Sequence, residues 1–282
     1  MTSRAETPVE LRGGVTAPAL FCVHAEAGHV QLYRDLADLV APGRVVYGLE
    51  AVSPDAWRDR GPSFEEMARI HLERVLAVSP EGPWVIVGEC LGGALAYEIA
   101  VLLRARGDGK VLLLLVDAFP QGHPILHPLV PGVAYRAIHR SRILAFHARN
   151  LARLEGAARV EYATSRARKA TSALKGKARI GADDSADAGA RAAFREALAA
   201  YRPPAYDGPV WLFRASRLPL GARTTSDLGW GAFVEALEVE ELPGYFTTNL
   251  SPPNVTFLAD KLTARVAAFA ALVPAPSAVA GT

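Results

Sequence analysis

Residues 83–106 read PWVIVGECLGGALAYEIAVLLRAR. The opening PWVIVGE is apolar almost throughout, as a strand buried on both faces of a sheet must be. From Leu91 onward the apolar residues take on helical spacing. Between the two lies Gly88-Glu89-Cys90-Leu91-Gly92-Gly93. A G-x-S-x-G pattern that ends a strand and opens a helix is the context of a nucleophile elbow, and here Cys90 takes the place of Ser. Glycines at 88 and 92 suit such a turn, because the sharp reversal presses backbone segments together. The Cys90 thiol is then expected to point into the mouth of a site, with the helix N-terminus favouring its thiolate. The backbone N–H of Leu91 is one expected oxyanion donor. The alternative is a buried structural cysteine, since Cys is among the most buried residue types. Strand before and helix after favour the nucleophile.

The same alternation extends to either side. ALFCVH (19–24), RVVYGLEAV (44–52) and KVLLLLVDA (110–118) read as further strands, with helical patterns at 30–40 and 63–78. The second helix opens with Ser63 and Glu66 spaced as a capping box. Apolar strands separated by helices imply a parallel sheet covered on both faces, and right-handed crossovers make it a doubly wound α/β core. Strand signals lapse from about 120 to 200, then resume at PVWLFRAS (209–216) and LEVEELPG (237–244). A last helix is expected to begin at Ser251-Pro252-Pro253, an N-cap followed by Pro in the first turn, and to run to about Leu272. The chain thus divides into a core of 1–119 plus 201–273, a helical insertion at 120–200 and a disordered tail at 274–282.

Composition narrows the classes. Half of the 282 residues are hydrophobic and 21% are charged, which is globular. A net charge of +2 gives no overall argument for nucleic-acid binding. Two cysteines exclude a disulfide scaffold or a four-cysteine zinc site, and seven scattered histidines imply no metal. The polar start MTSRAETPVELRGG lacks a secretory apolar region, and no apolar run reaches the roughly 18 residues of a membrane span. A cytoplasmic protein is expected. The charge is uneven, however: residues 136–179 carry twelve Lys or Arg and two Glu, a local +10. That segment is either a solvated helical face or a docking surface for an acidic partner.

Other residues gather at the same sheet edge. Asp117 closes the strand LLLLVD, where α/β active sites are built, and either orients a base or serves as a turn residue. His24 and His29 flank the first strand-to-helix loop, HAEAGH, whose backbone is expected to supply a second oxyanion donor at Glu26. Cys22 sits within a strand and reads as core.

LFCVHAEAGHVQLYRDLADLV, VYGLEAV, VGECLGGALAYEIA, LLLVDAFP, YRPPAYDGPVWLFRAS and DLGW together resemble the thioesterases of polyketide and nonribosomal peptide synthesis. The resemblance runs from about Val9 to Leu272 and is weakest in the insertion. It implies an α/β-hydrolase fold with a helical lid, a Ser or Cys nucleophile, an Asp after the following strand and a late His. Cys90 and Asp117 match the first two site positions, and Glu26 matches the oxyanion-loop residue. The third departs. Where the family reads P-G-D-H-F-T-x-L, this chain has Pro243-Gly244-Tyr245-Phe246-Thr247-Thr248-Asn249-Leu250, with Phe246 in place of the His. No His follows His147, so either catalysis is lost, or the chemistry does without that base, or another group such as His29 or Glu89 substitutes.

A thiol near its pKa needs a base less than a hydroxyl does, so Cys90 is expected to accept an acyl group from a carrier-protein thioester without that His. Hydrolysis of the acyl-enzyme is harder, because water must be activated. The pattern therefore favours transfer to a better nucleophile. Similarity to stand-alone, Cys-containing Dieckmann cyclases, which form tetramates and pyridones, implies a carbanion within the same tethered chain. Alternatives are a hydrolytic editing thioesterase, an acyl shuttle between carrier proteins, and a non-catalytic protein that binds carriers. No cofactor is implied beyond the phosphopantetheine arm of the carrier.

Overall fold

The computed structural model describes residues 7–51, 62–107, 110–121, 125–126, 129, 131–164, 166–167, 184–219 and 221–273. The tail at 274–282 and residues 168–183 of the basic segment lie outside the described residues. Among those described, seven strands form one sheet in the order β1-β3-β2-β4-β5-β7-β9. They are β1 (Val9–Arg12), β2 (Thr16–Val23), β3 (Arg44–Leu49), β4 (Trp84–Glu89), β5 (Val111–Val116), β7 (Val210–Arg217) and β9 (Leu237–Tyr245). All pairs are parallel except β1 with β3. With helices on both faces, this is the α/β-hydrolase fold.

The apolar runs are explained by the two cores. Along β5, Val111, Leu113 and Leu115 face one hydrophobic cluster, while Leu112, Leu114 and Val116 face the other. Trp84 and Ile86 of β4 alternate with Val85 and Val87 in the same way. A strand with period-two side chains and two buried faces has no polar side left. Helices α2 (Phe64–Val78) and α3 (Gly92–Arg104) cover the first face. Helices α1 (Arg34–Leu39) and α7 (Asn254–Leu272) cover the second. Cys22 is in that second core, as its place in β2 required.

The capping box is present: Ser63 Oγ accepts from Glu66 N–H at 3.2 Å, and Ser63 N–H donates to Glu66 Oε2 at 2.7 Å. The last helix begins later than the sequence suggested. Its N-cap is Pro253 with no side-chain cap, and Ser251 contributes only its carbonyl, which accepts from Val255 N–H at 3.1 Å. Strand β1 has no apolar signal and escapes sequence reading. It is anchored by Arg12, whose guanidinium donates to the carbonyls of Val40 (2.6 Å), Ala41 (2.9 Å) and Arg44 (2.7 Å) after α1. Those carbonyls lie along the stretch from the C-cap of α1 to the start of β3, so one guanidinium ties the strand to that turn.

Between β5 and β7 run α4 (Gly132–Arg153), α5 (156–164) and α6 (Asp184–Ala200). The strand-free reading of 120–200 needs one correction, since β6 (Ile125–Leu126) pairs antiparallel with β8 (Ala222–Arg223). Two residues are too few to leave a periodic signal. Helix α6 lies on the core, where Phe194 packs edge-on against Phe64 and His24, each at 5.7 Å between ring centroids.

Candidate active site

Cys90 occupies the junction of β4 and α3 with a φ of 52°. That left-handed conformation is uncommon for a residue with a side chain and marks stored strain at a functional turn. Neighbouring backbone holds it: Cys90 N–H donates to Val116 O at 3.0 Å, and Gly93 N–H donates to Cys90 O at 3.1 Å. A Cβ at Gly88 would lie 2.6 Å from Ala96 Cβ and 2.7 Å from Gly92 O. One at Gly92 would lie 2.6 Å from His24 O, so this glycine lets the loop after β2 close on the turn. The glycines are there for close approach, as the motif implied.

The electrostatics reverse one expectation. The Leu91 N–H bonds to the Cys90 sulfur and favours the thiolate, but burial and the nearby carboxyls of Glu89, Asp117 and Glu26 oppose it. Burial is the largest effect, and the thiol is pushed well above its usual range. The neutral form of the Cys90 thiol is therefore favoured, and the helix N-terminus is outweighed. Glu89, the residue before Cys90, is shifted as well. Buried and close to Asp117, its carboxyl is pushed up to about 8. It titrates where a proton acceptor is useful near neutrality.

Among the described residues Asp117 bonds no base. Its carboxyl is fully buried, with Oδ1 accepting from Ala215 N–H at 2.7 Å and Oδ2 from Thr247 N–H at 3.0 Å and Asn249 Nδ2 at 2.9 Å. Burial raises it to about 6 despite those donors. The carboxylate pins the turn that follows β9, and Asn249, unremarked in the sequence, is its side-chain partner. Phe246 lies in that turn, 3% exposed, with its ring against Phe119 at 5.7 Å and His139 at 6.2 Å.

The remaining predicted residues separate. His29 is solvent-exposed and makes no hydrogen bond among the described residues. His24 is buried, and desolvation above all pushes it down to about 4, so it stays neutral beside His71. Glu26 holds the oxyanion loop to the insertion: its carboxylate takes a two-pronged pair from Arg195 of α6, Nε at 2.5 Å and Nη2 at 2.9 Å. No described backbone hydrogen bond uses the Glu26 N–H.

Helix α4 adds groups that the sequence did not single out. Tyr135 and His139 stack at 5.7 Å and 12°, and His139 Nδ1 lies 3.0 Å from Tyr245 OH. Desolvation lowers the His139 pKa, which keeps its ring neutral. Tyr135 is close enough to Cys90 for a charge on the sulfur to raise its own pKa. Their only sequence signal was one-turn spacing on a helix. An apolar cavity of about 430 Å³ opens beside Phe119, between Leu228 and Phe233. No group of described residues could hold a metal ion, and no described helix is long and apolar enough to cross a membrane.

Residues 18–125, which contain the loop after β2, the Cys90 turn and Asp117, match the family model of the thioesterase domain. The candidate site thus lies within a stretch that is similar to thioesterase domains. Its sequence is 34% identical over 115 residues to enterobactin synthase component F of Escherichia coli (strain K12), covering 41% of this chain and 9% of that protein. It is 38% identical over 101 residues to a non-reducing polyketide synthase of Pseudevernia furfuracea, covering 36% and 5% respectively. The chain thus spans a small part of the length of these curated relatives. The NocB thioesterase domain, solved in covalent complex with a fluorophosphonate nocardicin G analog, superposes with a TM-score of 0.60 at 25% identity. That match covers 87% of this chain and 92% of the NocB domain.

Proposed function

We propose that the chain takes an acyl group from a carrier-protein thioester onto Cys90 and passes it to a nucleophile other than water. Intramolecular ring closure of the Dieckmann type is the favoured outcome. The observation that carries this reading is the Asp117 carboxylate, which beside Phe246 is taken by Ala215, Thr247 and Asn249 and bonds no imidazole among the described residues. On this reading the protein is an acyltransferase with one reacting carboxyl, Glu89, beside a neutral thiol.

In the first half-reaction, ionised Glu89 accepts the Cys90 proton as sulfur attacks the thioester carbonyl. The S–C bond to Cys90 forms, the carbonyl oxygen takes the charge between the N–H groups of Leu91 and Glu26, and the pantetheine C–S bond breaks. Glu89 returns the proton to the departing thiolate. In the second, Glu89 takes a proton from an acidic carbon between two carbonyls. The carbanion attacks the acyl carbon, the Cys90 C–S bond breaks, and the proton returns to sulfur. Such a carbon needs only a weak base, and tethering supplies much of the rate. Residues 120–200 act as the lid over the tethered chain, and the cavity beside Phe119 suits its apolar part.

Intact-protein mass spectrometry tests this. The native chain and a Cys90→Ala variant are mixed with acyl-carrier thioesters, and an adduct confined to the native chain is expected. Its release as ring or transferred acyl group supports the proposal. Release as free acid at the same rate in water alone would favour hydrolysis. Absence of any adduct across substrates would favour the carrier-binding alternative.

A further inference from the structure

Beside Tyr245, helix α4 and the turn between β9 and α7 enclose a second cavity, of about 630 Å³. Arg142, Arg149 and Arg153 of α4 and Arg217 of β7 line it, and no described acidic residue does. Positions 142, 149 and 153 fall on one face of the helix, so their convergence is built into α4. Among the described residues, none of the four is in an ion pair. Two are nonetheless held in place. Arg217 Nε donates to Gly244 O at 3.4 Å, and the Arg142 guanidinium stands 5.8 Å from the centre of the Tyr245 ring.

Four like charges around one cavity repel one another, and an anion in their midst relieves that cost. Guanidinium forks match the paired oxygens of a phosphate or a carboxylate, and phosphate is the anion that the phosphopantetheine arm of the thioester reading carries. Three side chains connect the cavity wall to Cys90. Tyr245 bonds His139, His139 stacks on Tyr135, and Tyr135 senses the charge of Cys90.

We propose that this arginine-lined cavity is a phosphate-binding site, which anchors the phosphate of a phosphopantetheinyl thioester while its acyl end reaches Cys90. The inference rests on the thioester reading above. The same chemistry is offered by a holo-carrier protein and by free coenzyme A, and the two are distinguished by experiment.

Cys90 acylation rates are measured on the full chain with three donors: acyl-holo-carrier, acyl-coenzyme A and acyl-N-acetylcysteamine, which has no phosphate. The native protein is expected to prefer a phosphate-bearing donor, and whichever is faster identifies the source. In Arg149→Glu and Arg153→Glu, both at exposed positions, the preference over N-acetylcysteamine falls roughly tenfold per arginine. Arg106→Glu, an exposed arginine outside the cavity, serves as the charge control. An unchanged preference in the Arg149 and Arg153 variants overturns the proposal, as does apo-carrier competing as well as holo-carrier. If no donor acylates Cys90, the thioester reading fails instead. Calorimetry with coenzyme A and pantetheine then decides the cavity: binding of coenzyme A alone, lost in the double variant, upholds it, and its absence overturns it.

Discussion

Asn249 Nδ2 donates to Asp117 Oδ2 at 2.9 Å, three residues along the chain from Phe246. With Thr247 N–H on the same oxygen at 3.0 Å, the carboxylate that would steer an imidazole is already occupied by the turn it holds. Loss of the histidine is therefore accompanied by a rebuilt partner for Asp117. Restoring the ring alone does not restore the relay.

Phe246→His is accordingly expected to raise hydrolysis of a Cys90 acyl adduct by less than a few-fold. Combining it with Asn249→Ala frees one acceptor position on Asp117 and is expected to raise hydrolysis further. Single-turnover release of free acid, followed by mass, compares the two. A large gain from Phe246→His alone would contradict the finding that Asp117 is committed.

Glu89 sets the pH dependence of acylation. With its carboxyl pushed up to about 8 and the thiol higher still, the rate of adduct formation should rise through pH 8. Glu89→Gln removes the acceptor, and a loss of about 10²-fold is expected, with the rising limb moved to higher pH. Stopped acylation reactions from pH 6 to 10 read both effects. A variant with native rate and profile would rule Glu89 out as base.

The same residue costs stability. Its pKa is raised on folding from 4.5 to about 8, so the folded chain binds the proton more tightly than the unfolded one. The contribution to stability is fully present below about pH 4.5 and is lost as pH rises through 8. Glu89→Gln should thus be more stable than the native chain at pH 9, by a few kcal/mol, and nearly equal to it at pH 5. Urea unfolding at the two pH values checks the sign. Equal differences at both would contradict it.

Arg195→Ala breaks the pair between α6 and Glu26. Arg195 is mostly exposed, so global stability should change by about 1 kcal/mol or less. Local opening is another matter. Amide exchange over 189–200 should quicken while β4 and β5 keep their protection. Unchanged exchange in α6 would show that Phe194 packing alone holds the helix down.

Gly88→Ala tests the turn itself. A methyl there meets Ala96 Cβ at 2.6 Å and Gly92 O at 2.7 Å, with backbone on one side and a buried helix on the other. A loss of about 1–3 kcal/mol or more is expected, together with loss of acylation as Cys90 is displaced. Thermal unfolding and adduct formation report the two separately.

Much of this architecture was legible in the chain. PWVIVGE and VLLLLV predict strands because side chains alternating between two buried faces leave no room for polar residues, and the two cores fill both faces. Ser63 and Glu66 predict a helix start because capping is a local interaction within four residues. The glycines of the Cys90 turn predict close approach for the same reason: the constraint acts within a few bonds. What the tertiary structure alone decided is the electrostatic character of the site. The helix N-terminus near Cys90 is a local feature and argued for a thiolate. Glu89 is its neighbour in the chain, but burial comes from every element packed around the turn, and Asp117 and Glu26 arrive from β5 and the loop after β2; together they outweigh it. Arg12 closing α1, Asn249 holding Asp117 and the four arginines around one cavity likewise join residues that sequence spacing cannot pair. Local geometry is encoded by neighbours along the chain, whereas charge and burial at a point depend on every element that folds against it.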